Sequence, residues 1–459
     1  MGDVTIATTN SPLLRRRTRE FSRCVSHMQD ELKSFRIWLK WMCVDQSNLF
    51  TACLSWFIFT IFAIVVPAFS HFFLACSSCD SKHERPYDGV IQLSLSSVAI
   101  LSFLCISAFV RKYGLRRFLF FDKLYEESET VRGGYTEQLH IYDAIAFLSS
   151  NELTSLNFSV QRSLMLILLF VIPCFLAECA YKIWWYCSGA SQIPFLGNVY
   201  VSDAVACLLE LCSWLYRITV FFLVCVLFRL ICYLQILRLQ DFAQVFMVES
   251  DVGSVLGEHL RIRRHLRIIS HRYRGFILFA LIFITASQFA SLLVTTKSSA
   301  YHNIFSAGEL ALCSIALVAG LLILLRSATK ITHKAQALTA LASKWHVCAT
   351  IDSFDINETE TPTAGISNAQ SFSATLNGES EGDYSGDEDD ELDNAKIVPQ
   401  YALSTVSFQK RQALVTYFEN NRAGITVFGF VLDRTSNHTI FGIELSLVLW
   451  LLGKTIGIS

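Results

Sequence analysis

Long apolar runs alternate with polar stretches along the sequence. Each run is long enough to cross a bilayer as a helix, because about 20 residues rising 1.5 Å each match roughly 30 Å of hydrocarbon. The runs occupy residues 49–75, 90–110, 163–185, 201–239, 276–294, 304–325 and 439–458. The pattern predicts an all-α polytopic membrane protein with seven transmembrane helices.

Basic residues beside these runs predict the orientation. Residues 1–48 form an Arg-rich N-terminal region, and Arg111, Lys112 and Arg326 follow the second and sixth runs. Basic flanks stay in the cytosol by the positive-inside rule. We therefore expect a cytosolic N-terminus and an exoplasmic C-terminus, in the plasma membrane or an endomembrane.

The polar stretches predict cytosolic structure. The fourth run continues as far as Leu239, so its helix should project beyond the membrane, and residues 49–345 should hold the first six crossings with cytosolic helix extensions. Residues 350–398 are rich in Ser, Thr and acidic residues, which predicts a disordered cytosolic insert. Residues 404–458 then combine an amphipathic anchor helix with the last crossing.

Composition agrees with this class: 53% of residues are hydrophobic and the mean hydropathy is +0.42. The net charge of −1 says nothing about partners, and no nucleic-acid motif is present. The sequence also lacks a Gly-rich phosphate loop, a His-Glu-x-x-His pair and a recognisable Ser/His/Asp arrangement. We expect no enzymatic activity and no cofactor.

The last crossing has two different faces at 100° per residue. One carries the small residues Thr439, Gly442, Ser446 and Gly453; the other carries Glu444, Val448, Leu451 and Thr455. Small residues either let helices pack closely or line a pore. An unpaired carboxylate in lipid costs at least a few kcal/mol, so Glu444 should face protein or water. Thr439, Gly442, Glu444, Ser446 and Gly453 are the pore-lining candidates, although both faces cannot line one pore.

Charged residues within the third and fourth runs are ligand-pocket candidates: Glu178, Asp203, Glu210 and Arg217. Glu178 and Glu210 lie at similar depths, and Asp203, Glu210 and Arg217 are spaced by seven along one helix face. They indicate either a charge cluster that opens outward or a structural pair of Arg217 with Glu210 or Glu178. Cys76, Cys79 and Cys187 fall in predicted exoplasmic loops, where one disulfide is expected.

The end of the chain resembles a known receptor class. Phe428-Gly-Phe-Val-Leu-Asp-Arg434, followed closely by the last crossing, looks like the closing signature of insect gustatory and odorant receptors. The chain as a whole, including residues 227–242 and 417–422, is similar to the plant gustatory-receptor-like proteins, a family of unknown function.

The resemblance to the insect receptors implies an insect-chemoreceptor-like fold and a homotetramer around one cation pore lined by the seventh helix. It also implies a pocket for an unknown small-molecule ligand, bordered by Glu178 and Glu210. Our leading hypothesis is a ligand-gated cation channel in the lipid bilayer. The alternatives are a non-conducting scaffold or signalling protein, and a transporter that uses Glu178, Glu210 and Arg217.

Overall fold

The structure is a computed structural model that describes residues 46, 49–74, 85, 87–118, 131, 158–188, 198–248, 252–297, 304–358 and 407–456. Residues 1–45 and most of the predicted acidic insert lie outside these described residues. Residues 350–358, at the start of the predicted insert, are the end of the helix Ile304–Glu358. The remainder of that prediction is untested.

The described chain is almost entirely helical. The first apolar run forms α1 (Leu49–Thr60) and α2 (Val66–Phe69), with π-helical turns at Ile61–Val65 and Ser70–Leu74. The remaining elements are α3 (Asp88–Phe118), α4 (Phe158–Cys187), α5 (Val199–Val248), α6 (Val252–Lys297), α7 (Ile304–Glu358), α8 (Phe408–Asn420), the strands β1 (Thr426–Val427) and β2 (Phe430–Val431), and α9 (Arg434–Ile456). Proline lacks the N–H of a regular turn, which accounts for widened turns around Pro67.

Several of these helices can cross a membrane. Within the described residues, five stretches are long and apolar enough: Leu49–Phe73, Asp88–Lys112, Val199–Ala243, Val252–Thr296 and Gly308–Val347. The chain is therefore an integral, multi-pass membrane protein. The helices α4 and α9 have 30 and 23 residues but are not among the five, so the count of seven and the orientation stay predictions.

The fourth apolar run forms the long helix that the sequence predicts. Helix α5 has 50 residues and reaches Val248, past the predicted end at Leu239. Helices α6 and α7 have 46 and 55 residues. At 1.5 Å per residue the three helices are about 70 to 80 Å long, more than twice the thickness of the hydrocarbon.

The chain divides into two compact units. Unit 1 comprises Met1–Leu227, Ala280–Leu321 and Glu444–Ser459, and unit 2 comprises Phe228–Phe279 and Leu322–Ile443. In unit 1, Phe59 stacks on Phe103 with the ring centroids 4.0 Å apart, beside Ala63 and Val220. These side chains are nearly inaccessible to solvent, so close apolar packing stabilises this part of the bundle.

In unit 2, α8 packs by one face, as its amphipathic pattern predicts. Leu414, Val415 and Phe418 are buried, and the ring of Phe418 meets the His259 ring edge-on at 4.6 Å. Arg263 in α6 donates a hydrogen bond of 2.6 Å to the Asn421 side chain just after α8. The amphipathic helix is thus held against α6.

A β-hairpin joins α8 to α9. Thr426 pairs with Val431 and Val427 with Phe430, so the turn consists of Phe428 and Gly429, both with positive φ. Asp433 then caps α9, because its side chain accepts a 2.8 Å hydrogen bond from the Ser436 N–H. That backbone hydrogen bond lowers the pKa of Asp433 from its usual value.

Close helix packing at Gly320 gives a first prediction. A Cβ added to Gly320 would lie 2.2 Å from the ring of the fully buried Phe221. We expect Gly320→Ala to lower the free energy of unfolding by about 1–3 kcal/mol, measured by denaturant unfolding in detergent micelles.

The matched control is Gly308→Ala in the same helix, because nothing lies within 4 Å of the added carbon there. That variant should unfold at the same denaturant concentration as the wild type or slightly higher, since Ala favours helix. Equal destabilisation at both glycines would contradict the packing at Phe221.

Candidate functional site

Unit 1 buries a cluster of charged side chains. Its members are each at most 9% exposed: the cations Arg85, Lys182 and Arg217, and the carboxylates Glu178, Glu210 and Glu309. Charges away from water need partners, because each isolated ion costs several kcal/mol. The three cations and three carboxylates compensate one another, and a further buried carboxylate, Asp88 at 3% exposure, accepts a hydrogen bond from Gln92 near Arg217.

Lys182 is the centre of the cluster. Its Nζ lies 2.9 Å from Glu309 Oε1, 3.2 Å from Glu210 Oε2 and 3.8 Å from Glu178 Oε1. Glu178 and Lys182 are four residues apart and share one face of α4. The lysine thereby links α4 to α5 through Glu210 and to α7 through Glu309.

Glu210 has two further partners, Ser70 and Arg85, which precede α3 in the sequence. The Arg85 Nη1 atom donates to both of its oxygens, at 3.1 and 3.3 Å, and the Ser70 hydroxyl donates at 2.5 Å. The Arg85 guanidinium also lies 3.6 Å above the centre of the Trp185 ring. Arg85 is thus held by a carboxylate and by an aromatic face, an arrangement that stabilises a desolvated cation.

Arg217 does not form either of the pairs that the sequence suggested. Its Nη1 donates to Ser96 Oγ at 3.2 Å and to the Gln92 carbonyl oxygen at 3.4 Å, and its Nε donates to the Ser213 carbonyl oxygen at 3.3 Å. The carboxylates Glu178 and Glu210 instead lie beside Lys182 and Arg85. Hydrogen bonds to α3 and α5 take the place of the expected carboxylate partner.

The structure thus brings together three of the four predicted pocket residues. Asp203 is only partly buried, near the start of α5, and does not line the cavity formed by the others. The sequence reasoning missed Lys182, Glu309 and Arg85. Lys182 and Glu309 carried a usable signal as charges within apolar runs. Arg85 lies outside the runs, so no periodicity pointed to it.

A small cavity adjoins the cluster. Its volume is only about 10 Å³, and Glu178, Lys182, Glu210 and Arg217 line it together with Trp214 and other residues of α2, α3 and α5. Pockets for small molecules usually have roughly 300–1,000 Å³. The cavity has room for about one water molecule, so an organic ligand could enter only if the bundle opened.

The pore-lining candidates on α9 separate into two environments. Thr439, Gly442 and Ser446 are exposed and Gly453 is partly exposed, whereas Glu444 is only 2% exposed. The Thr285 hydroxyl of α6 donates a short hydrogen bond to Glu444 Oε1. Val448 and Leu451 are buried on the same face as Glu444. The carboxylate therefore faces protein, and the small residues face outward.

The described residues include one of the three cysteines for which a disulfide was predicted. Cys187 is exposed with a free thiol, while Cys76 and Cys79 lie outside the described residues, so a bridge between those two stays a prediction. Among the described residues, His, Cys, Asp and Glu side chains form no group that could hold a metal ion.

The pairing of Glu210 predicts a large stability effect. Glu210→Gln keeps the shape of the side chain but leaves Arg85 without a carboxylate. We expect it to lower the free energy of unfolding by about 3 kcal/mol, toward the low end for buried pairs because Lys182 keeps Glu309. Denaturant unfolding in micelles measures this loss.

The control is Glu258→Gln, which removes an exposed partner 3.6 Å from Arg261. Exposed ion pairs contribute less than about 1 kcal/mol, so this variant should resemble the wild type. Replacing Arg85 by Met together with Glu210→Gln should restore part of the lost stability. Similar losses for Glu210→Gln and Glu258→Gln would show that the cluster is not a buried, paired network.

Comparisons with known proteins place the chain in a family. Its fold is similar to that of the insect olfactory receptor OR5 from Machilis hrabei, with 13% sequence identity, a TM-score of 0.46, and coverage of 92% of this chain and 99% of that chain. No curated protein matches the sequence significantly. A family model described as "Protein of unknown function (DUF3537)" matches residues 30–150 and 154–443. The chain therefore belongs to the DUF3537 family, whose function is unknown.

Proposed function

We propose that the protein is a seven-helix, chemoreceptor-like membrane protein that assembles as a tetramer and conducts cations along α9 in response to a small molecule. The observation that carries the proposal is the division of α9 into a buried face with Glu444 and an exposed face with Thr439, Gly442 and Ser446. The resemblance of residues 428–434 to the closing signature of insect chemoreceptors agrees with it.

The exposed face of α9 suits a pore wall formed by several copies. Hydroxyl groups and glycine backbone can replace part of the hydration shell of a cation. At 100° per residue, Leu445 and Leu449 flank the small residues on one side, and Ile443 and Trp450 flank them on the other. In the proposed tetramer these larger apolar side chains contact neighbouring copies, while the strip of small residues faces the common axis.

Glu444 has a different role in this proposal. Its carboxylate is buried against Thr285, so it ties α9 to α6 within one subunit and does not supply charge to the vestibule. A buried polar group with a partner also fixes the rotation of α9 about its own axis, because turning the helix would expose the carboxylate to lipid. The glutamate therefore keeps the small face directed outward.

The charge cluster is the proposed ligand-responsive part of the molecule. Its cavity is lined by Lys182 and Glu210, and the ion pairs of these two side chains with Glu309 and Arg85 connect α4, α5 and α7. A ligand that enters must displace one of these pairs and compensate for its loss. Such a competition would convert binding into a shift of the helices that the pairs connect.

The proposal is tested with purified protein in potassium-loaded vesicles. We expect the wild type to release potassium slowly even without the small molecule, because a gated channel populates its open state for a fraction of the time. We expect Ser446→Trp to reduce this flux severalfold because an indole would fill the axis. Leu293→Trp is the matched control: Leu293 is 62% exposed on α6 and lies outside the proposed pore wall and the side chains that flank it, so flux should persist.

Counting the subunits distinguishes a channel that stays closed from a protein that forms no pore. Single-molecule photobleaching of the labelled wild type should show four copies. A monomer in both membranes and micelles would contradict the pore. Tetramers in which Ser446→Trp and Leu293→Trp change the flux equally would contradict the assignment of the small face. Tetramers without flux in any condition would favour the non-conducting scaffold.

A further inference from the structure

The hairpin between α8 and α9 presents bare aromatic surface. Phe428 is 55% exposed, Phe430 80% and Val431 44%, while Val427 and Leu432 are buried. Large apolar side chains that are grouped on one exposed tip indicate an interaction site, whereas single apolar residues scattered over a surface do not. We refer to Phe428, Phe430 and Val431 as the hairpin tip.

The hairpin is held firmly, so its tip is aimed by the fold. The Thr426 N–H donates to Ser270 Oγ of α6, and the Ile425 N–H donates to Thr332 Oγ1 of α7, each at 3.1 Å. Gly424 lies so close to α7 that an added Cβ would be 2.9 Å from the Thr332 methyl carbon. Residues 424–426 of the hairpin region thus contact the long helices α6 and α7, and the hairpin tip points away from these contacts.

The turn residue Phe428 opposes local conformational preference. Its φ is +48° and that of Gly429 is +94°, a combination of signs for which two-residue hairpins favour Asn-Gly or Gly-Gly. A bulky residue in this region is strained by about 1–3 kcal/mol. An aromatic side chain at this position therefore opposes the stability of the turn, which indicates that the ring has another use.

The tip lies where α6 passes from basic to apolar surface. Arg264, Arg267 and His271 are exposed and Arg274 is partly exposed, whereas the next large exposed side chain along α6 is Phe279, at 48%. Phe279 lies five positions after Arg274, which corresponds to about 7.5 Å along the helix. The Arg274 guanidinium is 5.0 Å from the centre of the Phe428 ring, which places the tip at this transition.

Helix α9 shows the same transition. Arg434 and His438 are exposed in its first turns, and Ile443 is 52% exposed further along. Helices that change from basic to apolar exposed residues cross the boundary between water and lipid there, and aromatic side chains are enriched at that depth. The tip is continuous with α9, so it lies at the membrane boundary from this side as well.

We propose that the hairpin tip is an interfacial anchor that docks into the headgroup region of an anionic bilayer. Phe428, Phe430 and Val431 bury their apolar surface at the level of the upper acyl chains. Arg274 and Arg434 bind the lipid phosphates beside them, since basic residues near a membrane surface attract anionic lipids. The anchor fixes the depth of the polypeptide between α8 and α9, and it does not depend on whether the protein conducts ions.

The occupant of the tip is identified by photo-cross-linking of the full chain. The probe is p-benzoylphenylalanine in place of Phe430, in protein reconstituted into vesicles of phosphatidylcholine with or without phosphatidylglycerol. We expect lipid adducts at Phe430, enriched in phosphatidylglycerol relative to its share of the vesicle. The same probe at Phe408, which is 49% exposed at the start of α8, should give no lipid adducts.

A matched pair of charge variants tests the lipid class. Arg274→Gln should lower the phosphatidylglycerol enrichment at Phe430 by up to about fivefold, the effect of one basic residue near the surface. Arg261→Gln should leave it unchanged, because Arg261 lies 13 residues earlier in α6, about 20 Å away and beyond the Debye length. Adduct formation in pure phosphatidylcholine reports that the hairpin of each variant is folded.

Three results would overturn the anchor. Adducts of Phe430 with a second copy of the chain would make the tip a subunit interface, and equal lipid yields at Phe430 and Phe408 would remove its special depth. Lipid adducts without any preference for phosphatidylglycerol would leave no role for Arg274 and Arg434. The presence of Phe430 adducts in a protein that carries no potassium flux would support the anchor while contradicting the channel.

Discussion

The need to neutralise charge inside a bundle surrounded by lipid governs the structure of unit 1. Lys182 is buried, and three carboxylates surround its ammonium group at 2.9 to 3.8 Å. A lone ammonium in such surroundings would be strongly destabilised, so α4, α5 and α7 have to keep the positions that supply Glu178, Glu210 and Glu309. Apolar packing alone would leave more freedom, since lipid chains are as apolar as leucine.

The same requirement explains the rotation of the last helix. Glu444 is the acidic residue in the apolar part of α9, and it is buried with the Thr285 hydroxyl as a donor. Because one face must turn toward α6, the opposite face must turn outward, and there the sequence carries Thr439, Gly442 and Ser446. A single buried carboxylate thus determines which surface a neighbouring molecule can meet.

The sequence predicted the apolar helices but only part of the charge cluster. Hydrophobic runs located the five helices that are long and apolar enough to cross a membrane, including the long α5, since length and polarity are local properties that survive in any tertiary arrangement. Pairing is not local: whether Glu210 meets Arg217 or Arg85 depends on which helices are neighbours and on how a connecting segment folds back. Of the pairs in the cluster, only that of Glu178 with Lys182 could be predicted from spacing, because the two residues are four positions apart on one helix. The hairpin at Phe428 was likewise hidden, because a bulky residue at positive φ contradicts turn preferences.

The balance of charge in the cluster also limits what kind of ligand can act there. Arg85, Lys182 and Arg217 lie among Glu178, Glu210 and Glu309, with the buried Asp88 near Arg217, and the cavity beside them has a volume of only about 10 Å³. A ligand that entered would displace part of this network, and the Coulomb energy of any charge left unpaired in this poorly solvated space grows as the local dielectric constant falls. A neutral ligand with hydrogen-bonding groups, or a zwitterion that replaces one ion pair by its own, avoids this cost. The chemistry of the cluster therefore favours a small, overall neutral and polar molecule as the proposed stimulus.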